Sequence, residues 1–321
     1  MKILLIAVNP STFVLRDYQI LKTKYDTTLY IYNNRSFKTL LNLIKEHHLV
    51  IFWFASIRFF LPTILAKLFN KKIVTIAGGY DVSKVESGSM QSIWKSIIVN
   101  FILNQSNRVI AISKSSLNEI KMNCRINFKK VNMIYHGFAP VNNINLTQKR
   151  NIILTIGYID DLSFTRKGID RFFDLADRMP DIEFHFIGTL TLKNIIKEVP
   201  TNIIQHGQLK TTDDKFIKLL NETKVYFQLS KHESFGCSVA EAMQYGCVPI
   251  ITNYYSLPEV VGDCGMIISD LDNLEEIKNK VLYIFNNYNE SWGNKCINRI
   301  KDTFNLNERS TQMLKIVSEL L

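Results

Sequence analysis

Apolar runs of four to six residues alternate with stretches of helical period along the chain. The alternation breaks once, at a polar, asparagine-rich segment (residues 137–150), and then restarts. Before the break, the strand-like runs are 3–8, 28–32, 49–54, 73–76 and 108–112, with helical patterns between them such as 37–46 and 92–103. After it, strand-like runs at 151–156, 182–187, 202–206, 224–229 and 247–252 alternate with helical stretches at 167–178, 213–222, 238–245, 273–286 and 308–321. A strand joined through a helix to the next strand makes a parallel pair, with the helices covering both faces of the sheet. The spacing therefore predicts an α/β chain of two doubly wound, Rossmann-like domains. These are 1–145 and 146–305, with a C-terminal helix, 306–321, packing back toward the first. A length of 321 residues suits two such domains better than one. Ligands of doubly wound sheets bind at the carboxyl ends of the strands, so a central cleft between two facing domains is the expected site.

Several function classes are disfavoured at once. The five cysteines form no C-x-x-C pair, and the six histidines form neither H-x-x-x-H nor H-E-x-x-H. No metal site is expected from such spacings, and scattered free cysteines suit a reducing compartment. The N-terminal apolar run, 3–8, is shorter than a signal-peptide core or a membrane span. The most apolar stretch, 49–66, carries Ser56, Arg58, Pro62 and Thr63 and reads as a strand followed by a helix. A cytoplasmic protein is expected.

Charge divides the chain unevenly. Residues 1–150 hold 21 Lys+Arg against 6 Asp+Glu, whereas residues 151–321 hold 18 against 23. The basic half is expected to meet something anionic, such as a lipid surface, a lipid-phosphate acceptor or nucleic acid, unless it is simply a solvated lysine-rich surface. Nucleic acid is the weakest of these, because the basic residues are dispersed and no recognised nucleic-acid module is present.

The most informative stretch is Lys231–Ile250, KHESFGCSVAEAMQYGCVPI. It follows a strand and opens a helix near Ser238. Free backbone N–H groups at a helix start, with the helix dipole behind them, favour an anion. Gly236 lets backbone approach a ligand closely. Glu233 and Glu241 are acceptors suited to sugar hydroxyls. Simpler readings remain open beside these: Ser238-Val-Ala-Glu241 also matches a capping box, and Glu233 alone suits a solvated loop. Residue chemistry by itself leads to an anion or polyol site.

Glu233-x7-Glu241, within HESFGCSVAEAMQYGCVPI, resembles the E-x7-E motif of retaining glycosyltransferases of family 4, which have the GT-B fold. Other segments lie in the matching order: Ile153-Leu-Thr-Ile-Gly157, Arg166-Lys167-Gly168, Phe186-Ile-Gly188, His206-Gly-Gln-Leu209 and Leu257-Pro-Glu-Val-Val261. The resemblance is strong over 151–285. It is weaker over 1–150, where Gly78-Gly-Tyr-Asp81, Ala111-Ile-Ser113 and Ile134-Tyr-His-Gly137 are similar to family landmarks.

The resemblance implies an acceptor-binding domain over 1–145 and a nucleotide-sugar-binding domain over 146–305. It implies that Glu241 holds the ribose hydroxyls and that Glu233 approaches the transferred sugar. The amides of Phe235, Gly236 and Cys237 would then meet sugar hydroxyls, Ser238 would sit by the phosphates, and Lys167 would neutralise the diphosphate. The backbone around Gly207 and Leu209 would meet the nucleobase. It also implies a front-face, retaining transfer to an acceptor hydroxyl, without a dedicated protein base and without a metal or other cofactor. The expected partners are a nucleotide sugar, a sugar or lipid-linked acceptor, and a membrane touched peripherally by the basic half, in polysaccharide or glycolipid assembly. Three departures matter. The family's Gly-Arg is Gly157-Tyr158 here, which gives Arg166 the task of supplying charge. The loop after the first strand, Val8-Asn-Pro-Ser-Thr-Phe13, lacks glycine. Two family histidines are missing, which leaves Asp81 as the polar residue on the acceptor side unless it serves only as a helix N-cap or turn residue. The alternatives are a catalytically silent GT-B binding or regulatory protein, and a sugar-nucleotide epimerase on the same fold.

Overall fold

Each of the ten apolar runs forms a strand. The first five are β1 (Lys2–Ala7), β2 (Asp26–Ile31), β3 (Leu49–Trp53), β4 (Lys72–Ala77) and β5 (Arg108–Ala111), and a short strand that the sequence did not announce, β6 (Val131–Met133), follows them. Then come β7 (Arg150–Asp160), β8 (Glu183–Thr191), β9 (Ile203–Gln205), β10 (Thr223–Gln228), β11 (Val248–Thr252) and a second unannounced strand, β12 (Met266–Ile268). A computed structural model describes residues 1–32, 36–195 and 198–321. The alternation also holds helices Thr12–Lys22, Lys114–Asn123 and Glu290–Thr303, which were not named individually.

The chain forms two compact units: Met1–Gly137 with Leu306–Leu321, and Phe138–Asn305. Each contains one parallel sheet of six strands. The central strands β1, β3, β7 and β10 are almost wholly buried along their apolar runs, as expected for sheets covered by helices on both faces. The strand orders differ. The first sheet runs β2-β1-β3-β4-β5-β6, so its order reverses between β1 and β3. The second runs β9-β8-β7-β10-β11-β12 and reverses between β7 and β10. Such switch points leave a crevice beyond the carboxyl ends of the two strands.

The polar segment 137–150 packs as part of the second unit. The Asn145 backbone N–H donates to Asn221 Oδ1 at 2.9 Å, and the Lys149 Nζ donates to the Leu220 and Thr223 carbonyls at 2.7 and 2.6 Å. These carbonyls close the end of helix Asp214–Glu222, where a cation is favoured. The division between units therefore falls ahead of this segment, at Gly137/Phe138, rather than near residue 145.

Helix Leu306–Leu320 belongs to the first unit. Its Arg309 is buried against Asp17 of helix Thr12–Lys22, with Nε donating to Oδ1 at 2.7 Å and an Nη donating to Oδ2 at 2.6 Å. The other Nη donates to the Ile134 and Tyr135 carbonyls at 3.2 and 2.6 Å. Full hydrogen bonding makes such a buried pair tolerable. Among the described residues, no helix is long and apolar enough to cross a membrane.

Candidate active site

The switch point of the second unit gathers charge. Beyond β10, the chain passes Ser230 and Lys231 to reach Glu233, and beyond β7 it passes a short helix, Asp161–Phe164, to reach Arg166 and Lys167. Two backbone features bring these loops together. The Lys231 N–H donates to the Arg166 carbonyl at 2.8 Å. Gly168 has φ +72°, and a Cβ there would lie 2.5 Å from the Leu229 carbonyl oxygen. Only glycine accepts both that conformation and that approach. Gly168 is also the N-cap of helix Ile169–Arg178. The result is a part-buried ion pair, with Lys167 Nζ at 3.1 Å from Glu233 Oε1.

The same carboxylate oxygen accepts from Gln228 Nε2 at 2.7 Å and from Ser230 Oγ at 3.1 Å. All of these contacts fall on Oε1. Burial works to raise the Glu233 pKa, but Lys167 and Arg166 beside it and the Ser230 hydroxyl outweigh burial and hold the carboxyl below its usual value. It is therefore ionised at neutral pH. The buried amide of Gln228 works in two directions. Its Nε2 serves Glu233, while its Oε1 accepts from Ser238 Oγ at 2.9 Å and from the Tyr226 hydroxyl at 3.1 Å. Burial pushes the Tyr226 phenol well up, which keeps it a donor. Ser256 Oγ donates to the Glu233 carbonyl at 2.7 Å, and Thr252 Oγ1 donates to that of Ser230 at 2.6 Å. These bonds fix the loop backbone from below.

Sequence reading missed Tyr226, Gln228 and Ser230, although a signal was present. In TKVYFQLS, residues 226, 228 and 230 alternate with Val225, Phe227 and Leu229, so one face of the strand ends in polar groups while the other is apolar.

The turn before the helix corrects one reading. Ser238-Val-Ala-Glu241 does not form a capping box. Helix Cys237–Met243 begins at Gly236, whose φ is +90°, and Gly236 is the N-cap. Ser238 is already inside the helix and turns its hydroxyl to Gln228. A Cβ at Gly236 would lie 2.8 Å from Leu257 Cδ2, so glycine sets where the helix starts. The cap reading of Glu241 therefore falls away. Phe235 is buried between the rings of Phe138 and Phe304, at centroid distances of 6.0 and 5.2 Å, which leaves its backbone as the part near the turn. Gly236 and Cys237 follow it directly.

Gly207 and Leu209 lie past the end of β9, at the sheet edge. Three strand spacings separate β9 from β10, about 14 Å. Gly207 takes φ +69°, and its carbonyl accepts the Gly188 N–H at 2.8 Å. Just before it, His206 Nε2 lies 3.0 Å from His185 Nδ1. Burial first, then His185, pull the His206 imidazole down to about 4, so it is neutral.

In the first unit, Asp81 is buried. Its Oδ2 accepts the Ala55 N–H at 2.8 Å, and its Oδ1 accepts those of Gly79 at 2.7 Å and Gly78 at 3.4 Å. It ties the loop after β3 to the loop after β4, which is the turn role left open beside the acceptor-side one. Burial raises its pKa and the three backbone donors oppose the rise. At this unit's switch point, the Trp53 ring stacks on His136 with 5.7 Å between centroids, Phe13 lies 4.8 Å from Trp53, and Trp53 Nε1 donates to Asp17 at 2.9 Å. Phe54 follows β3 with φ +71°.

Residues 141–301 match the family described as Glycosyl transferases group 1. Over 115 residues, 34% of this chain, the sequence is 30% identical to the serotype-specific mannosyltransferase WbdA of Escherichia coli, and the match covers 14% of that protein. The structure of Anabaena HepE in complex with UDP and glucose superposes over 100% of both chains with a TM-score of 0.78 at 16% identity. Sucrose-phosphate synthase from Thermosynechococcus elongatus superposes over 100% of this chain and 99% of its own with a TM-score of 0.74 at 14% identity. At those identities the structural likeness is one of fold, and the fold is GT-B. With its two parallel-sheet units and a family match over half its length, the chain belongs to the group 1 glycosyl transferases.

Proposed function

We propose that this protein is a retaining family 4 glycosyltransferase that moves a hexosyl group from a nucleoside-diphosphate sugar to an acceptor hydroxyl. The observation that carries the reading is the Lys167–Glu233 pair at the carboxyl ends of β7 and β10. A cation and an ionised carboxylate held side by side at a switch point suit a donor that is anionic at the diphosphate and rich in hydroxyls at the sugar. Lys167, with Arg166, stabilises the charge that develops on the departing diphosphate. Glu233 Oε1 is taken by Lys167, Gln228 and Ser230, so Oε2 serves the transferred sugar. The amides of Phe235, Gly236 and Cys237 and the hydroxyl of Ser238 line the sugar and phosphate side. Glu241, no longer needed as a cap, holds the ribose. The backbone at Gly207 and Leu209, about three strands away, takes the base.

The leaving phosphate accepts the acceptor proton, so transfer proceeds with retention and without a metal or other cofactor. The acceptor is a sugar or a lipid-linked sugar of polysaccharide or glycolipid assembly, bound by the basic first unit. There Asp81 acts indirectly, by fixing the loops after β3 and β4. The setting is cytoplasmic, with the first unit touching the inner membrane face peripherally. Similarity to a mannosyltransferase over the matched stretch supports hexosyl transfer.

The test is a thermal-shift series with UDP, GDP, ADP, CDP and dTDP on the wild type and Glu241→Ala. A nucleotide at a hundred times its dissociation constant stabilises the native state by about 2.7 kcal/mol. One nucleotide should raise the Tm, and the variant should lose the rise. No shift from folded protein with any of the five would sink the donor site and turn the reading to a silent binding protein. Retention is checked separately from the anomeric configuration of the product by NMR.

A further inference from the structure

Helix Ile93–Gln105 in the first unit carries apolar residues on its inner side and, over its first two turns, on its outer side as well. Its inner face, Val99, Ile102 and Leu103, is fully buried. Over the first two turns apolar side chains also face solvent: Ile93, Trp94 and Ile97 are 81%, 55% and 64% exposed. At 13 residues the helix is about 20 Å long, too short to span a bilayer. The neighbouring helix, Phe60–Leu68, extends the same face: the Phe60 and Phe101 rings lie 5.2 Å apart, and Phe60 and Leu61 are also exposed. Contiguous exposed apolar surface of this kind marks an interaction site.

There is no Asp or Glu between residues 47 and 80, or between 87 and 118, so neither helix carries a carboxylate. Cations border the patch. Lys95 Nζ sits 5.7 Å from the centre of the Trp94 ring. Lys130 Nζ donates to the Asn104 carbonyl at the far end of the same helix, close enough to Lys67 for that charge to help burial lower its pKa. Arg125 is tied by its backbone to Asn100 and Asn104. Tryptophan with aliphatic side chains, edged by lysine and arginine and free of acid, fits the acyl–headgroup boundary of an anionic bilayer.

We infer that the outer face of helix Ile93–Gln105, with Phe60 and Leu61 beside it, docks on an anionic lipid surface, with Trp94 and Ile97 entering the interface and Lys67, Lys95, Arg125 and Lys130 meeting the headgroups. The inference deepens, and rests on, the membrane contact of the function proposed above. A protein partner would be expected to meet so basic a rim with its own carboxylates, and a second copy of this chain would set like charges against each other. Anionic lipid is therefore the favoured occupant.

The test is sedimentation with vesicles of phosphatidylcholine alone and of phosphatidylcholine with a quarter phosphatidylglycerol, at low and high salt. Wild type should bind the mixed vesicles at least tenfold better than the neutral ones and lose most of that binding at high salt. Trp94→Ser/Ile97→Ser should bind the mixed vesicles at least tenfold more weakly while keeping its nucleotide-induced Tm rise. Lys67→Gln/Lys95→Gln leaves the apolar face intact and should weaken binding through charge alone. Equal binding by wild type and Trp94→Ser/Ile97→Ser, or no binding to the mixed vesicles, overturns the inference. So does a wild-type dimer in analytical ultracentrifugation that the Trp94→Ser/Ile97→Ser variant dissociates. A normal nucleotide response without vesicle binding defeats this inference alone, whereas loss of the nucleotide response with intact vesicle binding defeats the donor site alone.

Discussion

The two units use the same architecture for opposite purposes at their switch points. Beyond β7 and β10, glycine at 168 and 236 allows close backbone approach, and the crevice is lined by Lys167, Glu233, Ser238 and the Gln228 amide. Beyond β1 and β3 lie rings and a neutralised charge: Phe13, Trp53 and His136 pack together, and Asp17 is consumed by Trp53 and Arg309. One crevice keeps a charged pair part-exposed, where a ligand can exchange with it. The other buries its charged pair and closes it with hydrogen bonds. A switch point supplies a place, and the side chains at the strand ends decide whether that place serves polar chemistry or stability.

The largest effect should come from the buried pair. Arg309→Ala leaves Asp17 charged in the interior and should destabilise the first unit by about 3–5 kcal/mol in denaturant unfolding. A loss below about 1 kcal/mol would mean the two switch points are less different than their burial indicates. Next comes the part-buried pair, Lys167 and Glu233. Lys167→Ala should lower transfer about 10²–10³-fold, the scale seen when a group that stabilises developing charge is removed. Its stability should change far less than in Arg309→Ala. Steady-state kinetics beside a melt separates the two variants.

Gly168→Ala tests the backbone behind the pair. Its Cβ would strike the Leu229 carbonyl at φ +72°, so a loss of about 1–3 kcal/mol is expected, together with a weaker nucleotide-induced Tm rise. An unchanged rise would separate the K-G step from the donor site.

The smallest effect is a titration. Burial first, with Arg309 and Arg16 nearby, holds His136 well below its usual value. It stays neutral when folded, while the unfolded chain takes up a proton below about pH 6.5. The unfolded state then binds more protons, so stability is complete above that pH and declines as pH falls toward the folded value, by at most about 1.4 kcal/mol per pH unit. His185 and His206 act the same way in the second unit. His136→Phe should remove only the first unit's share of the decline between pH 7.5 and 5.5, read from denaturant midpoints.

The sheets were legible because parallel strands covered on both faces are continuous apolar runs, and each of the ten strand-like runs formed a strand. The three-residue strands β6 and β12 were not announced, whereas β9, equally short, was, so length alone did not decide what could be read. Local sequence picked out Glu233, Gly236 and the Lys167-Gly168 step, and folding pairs Lys167 with Glu233 and makes Gly236 the N-cap of the following helix. One open alternative fell: Ser238-x-x-Glu241 has the spacing of a cap, but the left-handed turn at Gly236 starts the helix two residues earlier. The Gln228 network escaped because the polar alternation in TKVYFQLS marks one face of a strand but not the partners, Glu233 and Ser238, that folding brings to it. The Asp17–Arg309 pair, 292 residues apart, leaves no local trace at all.

That separation has a consequence for how the protein is made. At about 5–20 residues per second, a span of 292 residues takes about 15–60 s to translate. Throughout that time Asp17 lacks its guanidinium, while everything from Phe138 to Asn305 leaves the ribosome before helix Leu306–Leu320. The second unit can finish folding while the first, begun earlier, still waits for its last helix. A chaperone that shields the nascent first unit during that interval would act on the part synthesised first and completed last.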